Sequence, residues 1–311
     1  MSWIQYRVIF RALSPVHIGS HKLGYIERTR YYIPGKNIWA AFTENITRTG
    51  AATDTNAYKA IGDALKKNLL ISYFFPATEK DIANPLLPRY TPLLPHYTPE
   101  DGLKYGSYTA AQFEKIFITS YGQTAILPHS NTAEDNSLHE SECIQHIVTI
   151  KEENLPVYFV GYIFIRENAM LSEQKLGWDD GDISIKNICS EIFIGGDRRY
   201  GWGHLQLESG KISDNTLFLL PVTTVGVPVT VKIPANNSLP AHCLFSDSDT
   251  IFKGDIQPLV GVEYDFNNNK GYGQNITKGI VHWVPGTIVT KPETAFSMNH
   301  WGILSPLKKQ Q

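Results

Sequence analysis

The chain has 311 residues, 42% hydrophobic and 12% aromatic, enough to bury a large core in one or two domains. Its formal net charge of −2 excludes the global basic field of a free nucleic-acid binder, so such a contact has to be local or shared with partner subunits. Cys143, Cys189 and Cys243 are scattered, odd in number and without a CxxC, no apolar run approaches the ~20 residues of a bilayer span, and residues 1–20 lack a signal-peptide pattern, so the expectation is a reduced, soluble, cytoplasmic protein with no membrane contact.

The first predicted element is a strand. Ile4, Tyr6, Val8 and Phe10 alternate with Gln5, Arg7 and Arg11, giving one buried and one mostly wet face, with Ile9 the exception. Ser14-Pro15 ends it, and Gly19 to Arg30 reads as a loop. A helix follows Pro34-Gly35, with the stripe Ile38, Ala41, Phe42 and Ile46 and Asn37 as its cap. A second helix spans Tyr58 to Leu70 through Tyr58, Ile61, Leu65 and Leu69. Residues 85–91 (PLLPRYT) are repeated at 92–98 (PLLPHYT), with one difference. Proline at that density favours extended chain over helix or central strand. The segment reads as an arm on a neighbour or on RNA, with Tyr90 and Tyr97 exposed, or as a stiff surface connector.

Asn131 to Asn136 is loop-like. Ile144, Ile147, Val148 and Ile150 form a strand or hairpin, and Val157 to Ile165 a strong strand. Ile185, Ile188, Cys189 and Ile192 have helix spacing, and Leu205 and Leu207 alternate with Gln206 and Glu208 as in a strand. Between them lies Gly195-Gly196-Asp197-Arg198-Arg199-Tyr200-Gly201-Trp202-Gly203. Glycine allows close approach to a phosphate, arginine supplies bidentate donors, and Tyr or Trp a stacking face. The usual nucleotide fingerprint runs from strand to helix, so this loop is not that fingerprint, and the plain alternative is a flexible turn.

The β-α-β…β-α-β order predicts an α+β fold with a ferredoxin-like sheet and helices on one face. The division expected is a domain over 1–214, with an insertion at about 76–140, followed by a β-rich unit over 215–311. In that unit Val225 to Ile233 and Ile280 to Val284 read as strands, Asn267 to Gly273 as a loop, and no clear helix is present.

Four segments carry a resemblance. Ser14-Pro15-Val16-His17-Ile18-Gly19-Ser20 matches the "PLHIG" turn, and Tyr32-Ile33-Pro34-Gly35-Lys36 the "YIPGSS" segment, of the RAMP (repeat-associated mysterious protein) superfamily of CRISPR proteins. Ser137-Leu138-His139-Glu140-Ser141-Glu142 resembles a mid-chain element of its type III members, and Gly195 to Gly203 its glycine-rich loop. The matches fall in order over residues 1–210. Trp283-Val284-Pro285-Gly286-Thr287 is similar to the C-terminal part of the superfamily's single-copy type III-D subunit, and the unit beyond 215 reads also as a degenerate second RAMP domain.

The resemblance implies ferredoxin-like, RRM-like RNA-binding folds that hold a guide RNA within a multi-subunit antiviral effector ribonucleoprotein. Through residue 48, Arg7, Arg11, Lys22, Arg28, Arg30, Lys36 and Arg48 face only Glu27 and Glu44, a local net of +5. The RNA-binding candidates are Gly19, Lys22, Arg28, Arg30, Lys36, Gly195, Gly196, Arg198, Arg199, Tyr200, Gly201, Trp202 and Gly203. The expected partners are CRISPR RNA, other RAMP subunits, a large polymerase-like subunit, and target nucleic acid through the guide.

The sequence departs from the RNA-cleaving backbone subunits. The loop from Ser20 to Tyr31 has no aspartate, only Glu27, and Ile38-Trp39-Ala40-Ala41-Phe42 stands where an arginine is usual. The expectation is a non-catalytic, single-copy cap on the guide's 5′ handle, with no metal and no cofactor. The alternative is a metal-independent endoribonuclease maturing precursor CRISPR RNA, with His21, Lys22 and Glu27 as weak catalytic candidates. His17 belongs to the turn motif and reads as structural, and His139 with Glu140 and Glu142 does not make a closed metal site. A third reading is an assembly protein with a vestigial RNA surface.

Overall fold

Strand β1 (Trp3–Ala12) forms where alternation predicts it. Tyr6, Val8 and Phe10 are buried on its inner face, but Gln5 and Ile9 on the other face are buried as well. The predicted wet face is therefore mostly covered. Ile9 packs with Ala77, Tyr158 and Val160, and the Gln5 amide donates to the Thr216 carbonyl at 2.6 Å. The computed structural model describes residues 2–50, 55–98, 100–213, 215–226, 228–246, 251–265, 270–276, 278–292 and 294–307.

Residues expected as a loop after β1 form a hairpin, β2 (Gly19–Leu23) and β3 (Ile26–Thr29). Helix α1 (Gly35–Thr49) starts directly after Pro34, which is its N-cap by backbone alone. Asn37 is not the cap; its own N–H donates to the Pro34 carbonyl at 3.0 Å. Helix α2 (Thr55–Asn68) runs into β4 (Leu69–Ile71), followed by β5 (Phe75–Thr78).

The chain continues through β6 (Pro95–Thr98), β7 (Gly102–Tyr105), β8 (Tyr108–Thr109), α3 (Ala110–Phe117), β9 (Ile118–Gln123), β10 (Ile126–Leu127) and β11 (Thr132–Ala133). Thr109 and Gln112 close a reciprocal capping box on α3. β12 (His139–Ile144), β13 (Ile147–Ile150) and the long β14 (Glu153–Arg166) follow. β15 (Met170–Leu171), β16 (Gln174–Gly177) and β17 (Ile183–Ser184) make a small sheet leading to α4 (Ile185–Ile188).

The helix expected across Ile185 to Ile192 is one turn long. Ile192 lies in β18 (Glu191–Phe193), which pairs with β19 (His204–Ile212). Ile185, Ile188 and Ile192 have helix spacing while Ile192 and Ile194 alternate as in a strand, and pairing with β19 decides for strand.

The main sheet is antiparallel throughout. β14 pairs on one edge with β1 and on the other with β4, β5 and β13 in turn; β1 pairs on its free edge with β19, and β19 with β18. Ile38, Phe42, Ile46 and Leu65 of α1 and α2 share a core with Val8, Phe10, Phe159 and Ile163 of the sheet. A second sheet runs β2–β3–β12–β9.

Beyond 215 an eight-stranded sheet follows the order 216–217, 220–223, 230–233, 294–298, 304–306, 243–244, 280–283 and 256–259. No helix occurs there among the described residues. Val231, Ile233 and Phe296 of this sheet form one core with Tyr32, Tyr73, Phe75, Tyr162 and Phe164 of the first 214 residues. Of the expected loop 267–273, residues 267–269 lie outside the described residues, and 270–273 belong to strand Lys270–Ile276, paired with Val262–Asp265. The architecture is α+β.

The two heptads diverge. Leu93 is 2% exposed and its counterpart Leu86 is 94% exposed. Neither tyrosine projects freely: Tyr90 packs edge-on against Tyr158 at 4.8 Å, and the Tyr97 hydroxyl donates to Asp255 at 2.7 Å.

Candidate nucleic-acid interface

The glycine loop closes the β18–β19 hairpin, so it joins strand to strand, not helix to strand. It is fastened to the Ser14–Ile18 turn. Gly196 N–H donates to the His17 carbonyl at 3.0 Å, Gly203 N–H to the Pro15 carbonyl at 2.7 Å, and His204 N–H to the Ser14 hydroxyl at 2.9 Å. Two of the glycines are required by contact and by conformation. At Gly195 (φ +74°) a Cβ would lie 2.0 Å from the His17 carbonyl oxygen, and at Gly203 (φ +75°) 1.9 Å from that of Ile194. Gly196 abuts the His17 ring, whereas Gly201 faces open space. Gly195 and Gly196 thus serve close packing against the distant Ser14–Ile18 turn, and Gly203 the close approach of the loop's own two ends.

The loop's crown is a 3₁₀ turn, Arg198–Tyr200. Arg198 pairs with Glu44 of α1 at 2.6 Å. Arg199 is exposed and makes no ion pair among the described residues, and Tyr200 is 69% exposed. Trp202 is only 9% exposed and meets Tyr121 of β9 edge to face at 5.4 Å. The aromatic with an open face is therefore Tyr200.

The β2–β3 hairpin stands beside this loop through the same turn. His17 Nδ1–H donates to the Glu142 carbonyl at 2.6 Å, and exposed Gly19 lies next to the His17 imidazole. Lys22 pairs with Glu27 at 3.2 Å on the hairpin surface. Arg28 pairs with buried Glu142 at 3.2 Å, and Glu142 also accepts from Thr29 N–H. Burial first, then Glu142 and Asp197, push the Cys143 thiol up to about 12, so it is a packing residue.

Arg30 turns inward. Its backbone N–H donates to the Ile18 carbonyl, and its guanidinium lies close enough to the Tyr32 hydroxyl and buried His242 to act on both. His242 contacts the Tyr73 hydroxyl at 2.7 Å. Lys36 lies elsewhere, with its ammonium 4.9 Å from the Trp301 ring centroid. Among the catalytic candidates, exposed His21 lies 3.2 Å from the Ser20 hydroxyl, and His139 Nδ1–H donates to the Ser137 carbonyl at 3.0 Å. No group of three or more metal-ligating side chains occurs among the described residues.

The structure therefore gathers Gly19, Gly195, Gly196, Arg198, Arg199, Tyr200, Gly201, Trp202 and Gly203 around one turn, with Lys22 and Arg28 on the adjoining hairpin. Arg30 and Lys36 are engaged away from it. Tyr121 escaped sequence reasoning because nothing in its neighbourhood marks it. Phe193 and His204, stacked at 4.4 Å at the loop's base, escaped because β18 read as helix.

No protein-family model matches the chain, and no curated protein matches it. Its fold is similar to that of a chain in the cryo-EM structure of the type III-B Cmr-beta bound to cognate target RNA and AMPPnP. The TM-score is 0.53 at 12% identity, covering 91% of this chain and 85% of that one. A chain of Cmr-beta bound to cognate target RNA covers 66% of this chain with a TM-score of 0.42 at 9% identity. At these identities the likeness is one of fold, and only the first alignment is close enough to carry it.

Proposed function

We propose that this chain is a RAMP subunit of a type III-like CRISPR effector, non-catalytic, that holds one end of the guide RNA, its 5′ handle, and joins it to neighbouring subunits. The observation that carries the reading is the locked pair of motifs. The Ser14–Ser20 turn and the glycine loop meet through backbone hydrogen bonds and leave Arg199 and Tyr200 facing solvent. An unpaired guanidinium beside an open phenol ring suits a phosphate and an adjoining base. The edge-to-edge order β4/β5, β14, β1, β19, with helices on one face, supports a ferredoxin-like domain over 1–214, and the fold likeness to a Cmr-beta chain agrees with an effector subunit. Partner subunits and target nucleic acid enter through the guide. The endoribonuclease reading gains no support from the geometry, since Lys22 is tied to Glu27 and, among the described residues, no titratable group bonds to His21.

Arg199→Ala tests the reading. It should weaken guide-RNA binding and flatten its salt dependence by roughly 0.7 of a unit of log–log slope, the share of one phosphate contact on a single strand. A filter-binding titration with unchanged affinity and slope, on protein whose melting curve is intact, would reject it.

A further inference from the structure

The tandem heptad, PLLPRYT at 85–91 and PLLPHYT at 92–98, is a motif that the RNA reading leaves unused. Its second copy fills a seat between the two cores. Leu93 lies in the core shared by the main sheet and α1, with its side chain against Gly106, while Leu94 packs on the core shared with the unit beyond 215. Backbone bonds close the seat: Leu93 N–H donates to the Pro76 carbonyl at 2.8 Å, and Gly106 N–H to the Leu94 carbonyl at 2.9 Å. Pro95 abuts Gly286, the Tyr97 hydroxyl reaches Asp255, and Pro95 to Thr98 pair with β7. Each of these side chains has a counterpart of the same type seven residues earlier. The copies differ only at His96, which stands opposite Lys104 and whose place Arg89 would take.

The first copy is held by less. Pro85, Leu86, Pro88 and Arg89 are exposed. Arg7 donates to the Tyr90 carbonyl at 2.8 Å, Tyr90 packs on Tyr158, and Arg89 pairs with Glu79. Tyr90 adopts φ +56°, a left-handed conformation that a bulky side chain disfavours, whereas its counterpart Tyr97 lies in β6.

We infer that the two heptads are interchangeable occupants of one seat, exchanged by a seven-residue slip of the chain. In the slipped register Leu86 and Leu87 replace Leu93 and Leu94, and residues 92–98 join the turn before β7, where Glu100 and Asp101 are already exposed. Lengthening a surface turn costs little, because loop-closure entropy grows slowly with length. The shortened approach also reaches. Leu93 is bonded to Pro76, two residues before the end of β5, so the seat begins beside the point where the loop departs. Residues 79–84 span up to ~20 Å when extended. Buried Asp81 keeps its place, since it accepts from Ser107 Oγ at 2.8 Å and Ser107 adjoins Gly106 of the seat. The slip moves an exposed proline–leucine turn from the Tyr158 side of the main sheet to the β6–β7 turn and uncovers Tyr158. A partner subunit that binds either place thereby selects a register. This device does not depend on the glycine loop's binding RNA.

The test uses the full chain and a thiol reagent, to which the buried native cysteines are closed. Leu86→Cys should react rapidly. Adding Leu93→Asp should slow that reaction by about ten-fold or more while a cooperative melting transition remains, because a carboxylate is expelled from the core and the first copy moves in. Leu86→Asp alone should melt as the intact chain does, and Leu86→Asp with Leu93→Asp should lose the transition, since neither copy can then be seated. Deleting residues 85–91 imposes the short approach permanently and should leave a folded chain. Fast labelling of Leu86→Cys in a folded Leu93→Asp chain would show that the first copy stays outside, and the slip is wrong. A Leu93→Asp chain as unfolded as the double aspartate variant overturns it equally, and so does a deletion of 85–91 that fails to fold.

Discussion

At the scale of single residues, the histidines decide how the fold responds to acid. Burial first, with Arg30 and His282 adding to it, holds His242 well below the ordinary histidine value, and burial with Lys66 brings His300 down to about 4. A depressed histidine is neutral in the folded state at a pH where the unfolded chain would already bind a proton. Its contribution to stability is therefore complete above about pH 6.5, falls as the pH drops below that, and levels off below the folded value. The urea midpoint should decline steadily from pH 7 towards pH 4, and His300→Asn should make that decline shallower. A midpoint that stays flat over this window would show that these rings are solvated. Arg30, by sequence a phosphate ligand, is instead one of the charges that keep His242 neutral. A basic residue two positions from an aromatic reads alike whether it faces water or a buried phenol.

At the scale of elements, the glycine loop and the proline heptads each pair similar residues in unlike surroundings. Gly203→Ala and Gly201→Ala both place a side chain at positive φ, a strain of roughly 1–2 kcal/mol. Gly203 alone also brings a Cβ against the Ile194 carbonyl, so its variant should melt clearly lower. Equal melting temperatures would mean that the loop shifts freely. Leu93→Ala should cost about 2–5 kcal/mol by opening a cavity, and Leu86→Ala less than ~0.5. Chemical denaturation of both variants checks this. Strands β1 and β14 and the bodies of both long helices were legible because their periodicity is strong, whereas their ends were not: Asn37 does not cap α1, and Leu69 and Leu70, read as the end of α2, belong to β4. The β2–β3 hairpin and β18 were not, because short polar or isoleucine-rich stretches acquire their structure from the strand beside them. The same limit applied to the site: the loop was visible as composition, but its attachment to the Ser14–Ile18 turn is a long-range contact without a local signal. The repeated heptad was visible as a repeat, yet only tertiary packing assigns one copy to the core and the other to solvent.

At the scale of the whole molecule, the unit beyond 215 does more than follow the first one. Its sheet packs on the face of β4, β5 and β14 turned away from α1 and α2, where Tyr73, Phe75 and Phe164 are nearly or fully buried. The segment around Trp301 also crosses α1. The Ile71 N–H donates to the His300 carbonyl at 3.2 Å, and a Cβ at Gly35 would lie 2.2 Å from the Ile71 carbonyl and 2.6 Å from that of Trp301. The glycine of the Tyr32–Lys36 motif is thus required by a contact made with the far end of the chain. Burying one large side chain contributes about 1.5–3 kcal/mol, so three aromatics alone approach the net stability of a typical domain, about 5–15 kcal/mol. A chain truncated after Ser213 should therefore lose its cooperative thermal transition, bind hydrophobic dyes and aggregate, even though every strand of the main sheet is present. A truncated chain that stays monomeric and melts within a few degrees of the full one would show instead that the two units hold separate cores and that the shared aromatics contribute little.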